Sequence, residues 1–542
     1  MTSEEAELRE AIERVVTSKN PKKLIVAGPG AGKTTLFKRL LNVAPGESNN
    51  RLVLTFINSL KDDLETQLSE YAKVATLHGY CFGLLNRKGK LRNGLSSEFV
   101  CQPGLAGLIR SDWTHIKDSD APHFIRQMRE LEESEHLPFY LARSNYYDAV
   151  DFDDCVFRVY QGLAAGREKV ERYELVLIDE YQDFNALEDG FIELLSQNSP
   201  IVVAGDDDQA LYSQLRQTSC DHIRSLYRGG DFEVFELPFC MRCPKVVVDA
   251  VNDVITRAQK LKKLEGRILK PFKHFPPAKG EDSDKYPTIA LILTSVQRDN
   301  ANYMGKFIAS AIDRIPSEEY EIAAKNGYPV ALIIAAKPYS PQIVDHLASH
   351  GYEIEVKRDS DDAIDRAHGL AILRGNPKSN LGWRIILEAE KKKFASQFIA
   401  KTSDMRSALV DLLPKEFREK ILAEATALET ALEIDESGKE RQPAAARPPI
   451  KITSFEGAKG LSAQHVFIAG LHNEEIPRDP ANIQDLEICK FIVGLTRTRK
   501  RCSLIHTSRF AQTRKYPSIF ISWIADQRFE PIEVNAEYFR KL

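Results

Sequence analysis

Short apolar runs, each ending in a polar or glycine-rich turn, punctuate this chain of 542 residues. "LIVA", "RLVLTF", "LVLID", "IVVAGD", "PTIALILT", "PVALIIAA", "EIEV", "KITSF", "HVFIAGL" and "RCSLIHTS" read as buried strands. Helical patterns separate them; the first run is followed by an apolar stripe at Leu36, Phe37, Leu40 and Leu41. Strand and helix in alternation predict parallel sheets and an α/β fold. Two segments break the rhythm and read as helical, residues 88–150 and about 386–446. The second closes with a Pro/Ala-rich connector, "QPAAARPPI".

Composition narrows the class. An apolar fraction of 43% and a charged fraction of 28% fit a soluble globular chain, long enough for roughly two to four domains. No apolar stretch approaches the roughly 20 residues that span a bilayer, so no membrane association is expected. The start, "MTSEEAELREAIERV", is acidic and helical rather than leader-like, which predicts a cytoplasmic protein. A net charge of −4 means that any nucleic-acid site must be a local basic groove. Of eight cysteines only Cys240 and Cys243 have C-x-x-C spacing, which reads as a reduced structural pair.

The chemistry begins at "LIVAGPGAGKTTLFKRLL". A strand, a turn containing Gly28, Gly30, Ala31 and Gly32, then Lys33, Thr34 and Thr35 at the head of a helix make a phosphate cradle. Backbone N–H groups face the phosphates, Lys33 adds a point charge, and the Thr34 hydroxyl suits Mg²⁺. In "YELVLIDEYQDF" a buried strand delivers Asp179 and Glu180 to its C-terminal end. Asp179 fits the Mg²⁺-holding role and Glu180 the base that activates water. Another strand, "IVVA", ends in "GDDDQ", where Gln209 can reach a γ-phosphate or attacking water. The three aspartates, Asp206 to Asp208, are expected near the Mg²⁺-nucleotide and the Arg and Lys groups around it.

The order of these motifs resembles superfamily 1 DNA helicases of the UvrD/Rep/PcrA type across nearly the whole chain. "AGPGAGKTT", "LTFINSL", "ATLHGYCFGLL", "DFDDC", "IDEYQDFN", "AGDDDQALYS", "LPFCMRC", "TSFEGAKGLSAQHVFIAGL" and "FIVGLTRTRKR" follow one another as that family's motifs do. The resemblance implies an α/β protein of two RecA-like P-loop domains with parallel sheets and two reduced, mainly helical accessory subdomains. Domain 1A would comprise 1–87 and 151–232, and 1B 88–150. Domain 2A would comprise 233–385 and 447–542, and 2B 386–446. It also implies ATP and Mg²⁺ in the cleft, with Arg242 and Arg497 reaching the γ-phosphate and Met241 at the base. Thr55, Phe56, Asn58, Thr76, His78 and Tyr212 match positions that contact DNA, and Lys459-Gly460 would couple the two sites.

The chain departs from the family at several places. Leu8 stands where a base-reading Gln is usual, and Met241 replaces an aromatic residue. Ser462 replaces a Glu, and Glu456 replaces a DNA-contacting His. After Tyr212-Ser213 the family has a base-stacking Trp and then Arg; here Gln214 and Leu215 precede Arg216. One lost stacking platform costs about 1–3 kcal/mol of strand binding. The expected activity is ATP-dependent 3′ to 5′ movement on single-stranded or 3′-tailed DNA. No nuclease-like set of Asp, Glu and Lys follows the last motif, so a separate nuclease partner is expected, in repair or antiviral defence. The alternative is a nucleotide-switched DNA sensor that regulates such a partner.

Overall fold

Leu24 and Val26 enter one hydrophobic core while Ile25 and Ala27 enter another, because β1 (Lys22–Ala27) lies in a sheet covered on both faces. The computed structural model describes residues 1–55, 58–86, 99–169, 171–297, 302–356, 364–436 and 449–541. β1 is joined by β2 (Arg51–Thr55), β3 (Lys73–Thr76), β4 (Leu175–Ile178), β5 (Ile201–Gly205) and β6 (Glu233–Leu237). Their spatial order is β3-β2-β4-β5-β1-β6, and all pairs are parallel.

A second, seven-stranded parallel sheet contains β7 (Ile289–Thr294), β8 (Ala331–Ala335), β9 (Ile354–Val356), β10 (Ile450–Thr453), β11 (Ala463–Ala469), β12 (Thr498–Thr507) and β13 (Phe529–Val534). Its order is β9-β10-β8-β11-β12-β7-β13. It too is buried on both faces, with Leu332 and Ile334 in one core and Ala331, Ile333 and Ala335 in the other. The α/β class and the two RecA-like sheets expected from the sequence are therefore present.

Two expected boundaries fall elsewhere. β6 follows residue 232 yet pairs with β1 from Lys23↔Glu233 to Ala27↔Leu237, so it closes the first sheet instead of opening the second. The helix Asn380–Glu388 runs across the 385/386 boundary, and its Ile385 and Ile386 pack on Gly369 of the preceding helix, Arg366–Gly375. The helical segment thus begins before residue 386. The boundary at 87/88, residues 437–446 and most of the Pro/Ala-rich connector lie outside the described residues.

The two helical segments share one core. Leu105, Leu108, Ile109 and Tyr140 from the first pack in the same cluster as Trp383, Ile386 and Ile399 from the second. At their junction Asp112 accepts from Arg143 Nε at 2.8 Å and from Arg384 Nε at 2.6 Å, and all three side chains are fully buried. Arg143 also donates to the Thr402 carbonyl at 3.1 Å. Among the described residues no helix is long and apolar enough to cross a membrane.

Candidate active site

The turn after β1 carries Gly30 and Gly32 with positive φ values, 71° and 85°. These left-handed residues let the chain reverse into the helix Lys33–Val43, whose N-terminus offers unpaired N–H groups. Side-chain space is closed as well. A Cβ on Gly30 would come within 2.5 Å of the Arg242 Cβ, and one on Gly32 would collide with the Met241 thioether methyl. Met241 N–H donates to the Gly30 carbonyl at 2.9 Å. The segment after β6 therefore lies directly on the phosphate turn, and Gly28 packs against Phe272.

Gly30, Ala31, Gly32, Lys33, Thr34, Thr35, Met241, Asp179, Glu180, Gln209, Arg242 and Arg497 all line one cavity of about 470 Å³ between the sheets. Gly28 sits beneath it, buried in the turn. Lys33 Nζ donates to Glu180 Oε1 at 3.0 Å and lies 3.9 Å from Asp179. Glu180 has a left-handed backbone, φ 55° and ψ 41°, a conformation rare outside glycine and often held at functional positions. Burial opposes its ionisation, but Lys33 and then Lys459 win and hold its carboxyl well below the usual range. For Asp179 burial prevails, pushing its pKa up to about 6. The Thr34 hydroxyl and the Asp179 carboxylate are hard oxygen donors lining the same cavity, the ligand type that suits a divalent cation such as Mg²⁺.

A chain of hydrogen bonds crosses from Glu180 to the second sheet. Gln182 Nε2 donates to Glu180 Oε2 at 2.6 Å, and Asp206 N–H donates to Gln182 Oε1 at 2.9 Å. Gln209 Nε2 donates to Asp206 Oδ2 at 2.8 Å, and Arg497 Nη2 donates to Gln209 Oε1 at 3.0 Å. Lys459 enters from the second sheet as well, donating to Asp183 and, at 2.6 Å, to the Gln209 carbonyl. Arg242 is anchored by the Thr496 carbonyl at 3.3 Å, just before Arg497. Burial and then the adjacent Arg242 push the Arg497 pKa down to about 9. Two guanidiniums held together at such a cost make a site for an anion.

The three aspartates take up the protein's own cations. Lys270 Nζ lies 2.7, 2.8 and 2.8 Å from Asp206, Asp207 and Asp208, with Arg224 on Asp207 and Arg267 on Asp208. Their carboxylates would otherwise suit a metal, but the Lys270 ammonium stands at that point. Only Asp206 joins the cleft network. Sequence reasoning missed Lys270, Gln182 and Asp183; Lys270 lies far along the chain from the acids, and nothing local announces it.

Of the expected DNA-contacting residues, Thr55, Thr76 and His78 meet at one sheet end. Thr55 and Thr76 are paired partners at the ends of β2 and β3, and His78 follows in the next helix. All three residues are buried. His78 faces Arg216 at 3.3 Å, and burial followed by that charge pushes its pKa down to about 3. Arg216 also bridges to Glu188 at 3.1 Å. Tyr212 donates to the Glu456 carbonyl at 3.2 Å, while the Glu456 carboxylate turns to Lys490 at 2.6 Å. Gln214 is exposed. Phe56 lies outside the described residues, as does the side chain of Asn58. Cys240 and Cys243 are both free and buried beside Arg242.

Fold and cleft together define a P-loop protein with two RecA-like sheets facing each other across a phosphate site. A family profile described as an AAA domain matches residues 9–214. DNA helicase II of Haemophilus influenzae is 23% identical over 277 residues, 43% of this chain and 38% of that protein. ATP-dependent DNA helicase PcrA of Leuconostoc citreum is 28% identical over 292 residues, 45% and 38% respectively. ATP-dependent DNA helicase UvrD2 of Mycobacterium bovis is 24% identical over 422 residues, 72% and 57%. The chain is a distant homologue of the UvrD/Rep/PcrA superfamily 1 DNA helicases. It spans less than two thirds of the length of these relatives.

Proposed function

We propose that the protein is an ATP-dependent DNA helicase or translocase that moves 3′ to 5′ on single-stranded DNA. The carrying observation is the hydrogen-bond chain from Glu180 through Gln182, Asp206 and Gln209 to Arg497, which ties the base beside the first sheet to an arginine beside the second. ATP phosphates compete for Lys33, releasing Glu180 to accept a proton from the water that attacks the γ-phosphate. Arg242 and Arg497 then neutralise charge on the transferring phosphoryl group, and ADP and phosphate leave. Thr34 and Asp179 would hold Mg²⁺, which supplies further charge neutralisation on the phosphates. Because Arg497 and Lys459 lie on connections of the second sheet, occupancy of the cleft changes the contacts between the two halves.

Residues 88–150 and the helical segment ending near 446 serve as accessory subdomains 1B and 2B in this reading. Thr55, Phe56, Asn58, Thr76, His78 and Tyr212 form the strand track in a cytoplasmic repair or antiviral-defence protein working with a separate nuclease. A second reading, a nucleotide-switched DNA sensor acting on that partner with little unwinding, is favoured by the exposed Gln214 where a stacking aromatic is expected. Strand displacement on 3′-tailed and 5′-tailed duplexes tests the choice. Product from the 3′-tailed duplex alone supports the helicase; DNA-stimulated hydrolysis with no product strand supports the sensor.

A further inference from the structure

We propose that Arg499 is a nucleotide-binding residue that grips the sugar–phosphate part of the bound nucleotide without reading its base. The inference rests on the cleft being a nucleotide site. Arg499 is the second residue of β12, and two separate elements fix its side chain. Its guanidinium lies 3.9 Å from the ring centroid of Tyr328, on the loop before β8. Its Nε donates to Ser462 Oγ at 3.0 Å, on the turn before β11. Lys279 donates to its backbone carbonyl at 2.9 Å, holding the strand itself. Arg499, Tyr328 and Ser462 all line the cavity that also holds Lys33 and the phosphate turn.

The charge balance says what this group is for. Burial and then Arg242 push the Arg499 pKa down, as burial and Arg242 do for Arg497. Among the described residues none of the three arginines has a carboxylate within ion-pair distance, whereas Arg143, Arg267 and Arg384, buried elsewhere, each have one. The protein gives Arg499 a ring and a hydroxyl, which orient a guanidinium without neutralising it. A planar fork held in this way suits phosphate and ribose oxygens, which every nucleotide carries. Tyr328 and Ser462 are positioning residues in this account.

The test is steady-state hydrolysis of ATP, GTP, CTP and UTP by the wild type, Arg499→Ala, Arg499→Lys and Ser462→Ala, with unfolding curves for each. Arg499→Ala should raise KM by about tenfold or more for all four nucleotides alike, the loss of one charge-assisted contact, and leave kcat within about twofold. Arg499→Lys should recover part of that loss, and Ser462→Ala should give a smaller rise of the same kind. Unchanged KM in the alanine variant, or a rise confined to one base, would overturn the proposal. Absence of hydrolysis in the wild type with every nucleotide would overturn the nucleotide-site reading instead, a failure seen without any variant.

Discussion

Glu180 and Lys33 illustrate how much a single residue's surroundings decide. Each satisfies the other, and in the proposed mechanism Glu180 becomes a useful base only when Lys33 is drawn to phosphate. Glu180→Gln should therefore keep nucleotide binding while lowering kcat by about 10² to 10⁴, read by hydrolysis beside fluorescent-nucleotide titration. Lys270 makes a contrasting case. It neutralises three buried aspartates, and Lys270→Ala should cost about 3–5 kcal/mol of stability in urea unfolding. The sequence announced the aspartates but not their partner, because a charge delivered from a distant loop has no local pattern. His78 adds a pH effect. Its folded pKa near 3 lies below the ordinary 6.5, so between those values the unfolded chain binds the extra proton and stability falls as pH drops. His78→Gln should flatten that acid limb by up to about 1.4 kcal/mol per pH unit, measured by unfolding from pH 7 to 4.

At the scale of elements, most strands legible in sequence are buried on both faces, the edge strand β9 being an exception. β4, β5, β8 and β11 are buried at every residue; the first three appear as unbroken apolar runs, and β11 does so from Val466 onward. β6 and β13 escaped notice because edge strands expose one side: "EVFEL" and "FEPIEV" carry glutamates among their apolar residues. The phosphate turn was legible because its glycines and Lys-Thr pair are contiguous. The union of the two helical segments was not, since it depends on Asp112 meeting Arg143 and Arg384 from remote helices. Asp112→Ala would leave two buried arginines unpaired and should destabilise the protein by about 3–5 kcal/mol. Hydrogen exchange should show helices Leu105–Lys117 and Asn380–Glu388 losing protection together, as parts of one core; loss confined to one of them would contradict that union.

In the whole molecule, the two sheets share one site. Motif order exposed the cleft, but a net charge of −4 says nothing about a strand groove, and Thr55, Thr76 and His78 are buried. The physical link is that Lys459 and Arg497, on connections of the second sheet, bond to residues around Glu180 and Gln209 at the end of the first. The most direct test is ATP hydrolysis by the wild type and Arg497→Ala, each with and without single-stranded DNA, alongside nucleotide binding. DNA should raise the wild-type rate, and Arg497→Ala should bind nucleotide yet hydrolyse it about 10³-fold more slowly with or without DNA. A variant that hydrolyses ATP like the wild type would mean that the second sheet takes no part in the chemistry, and the account of a shared cleft would fail.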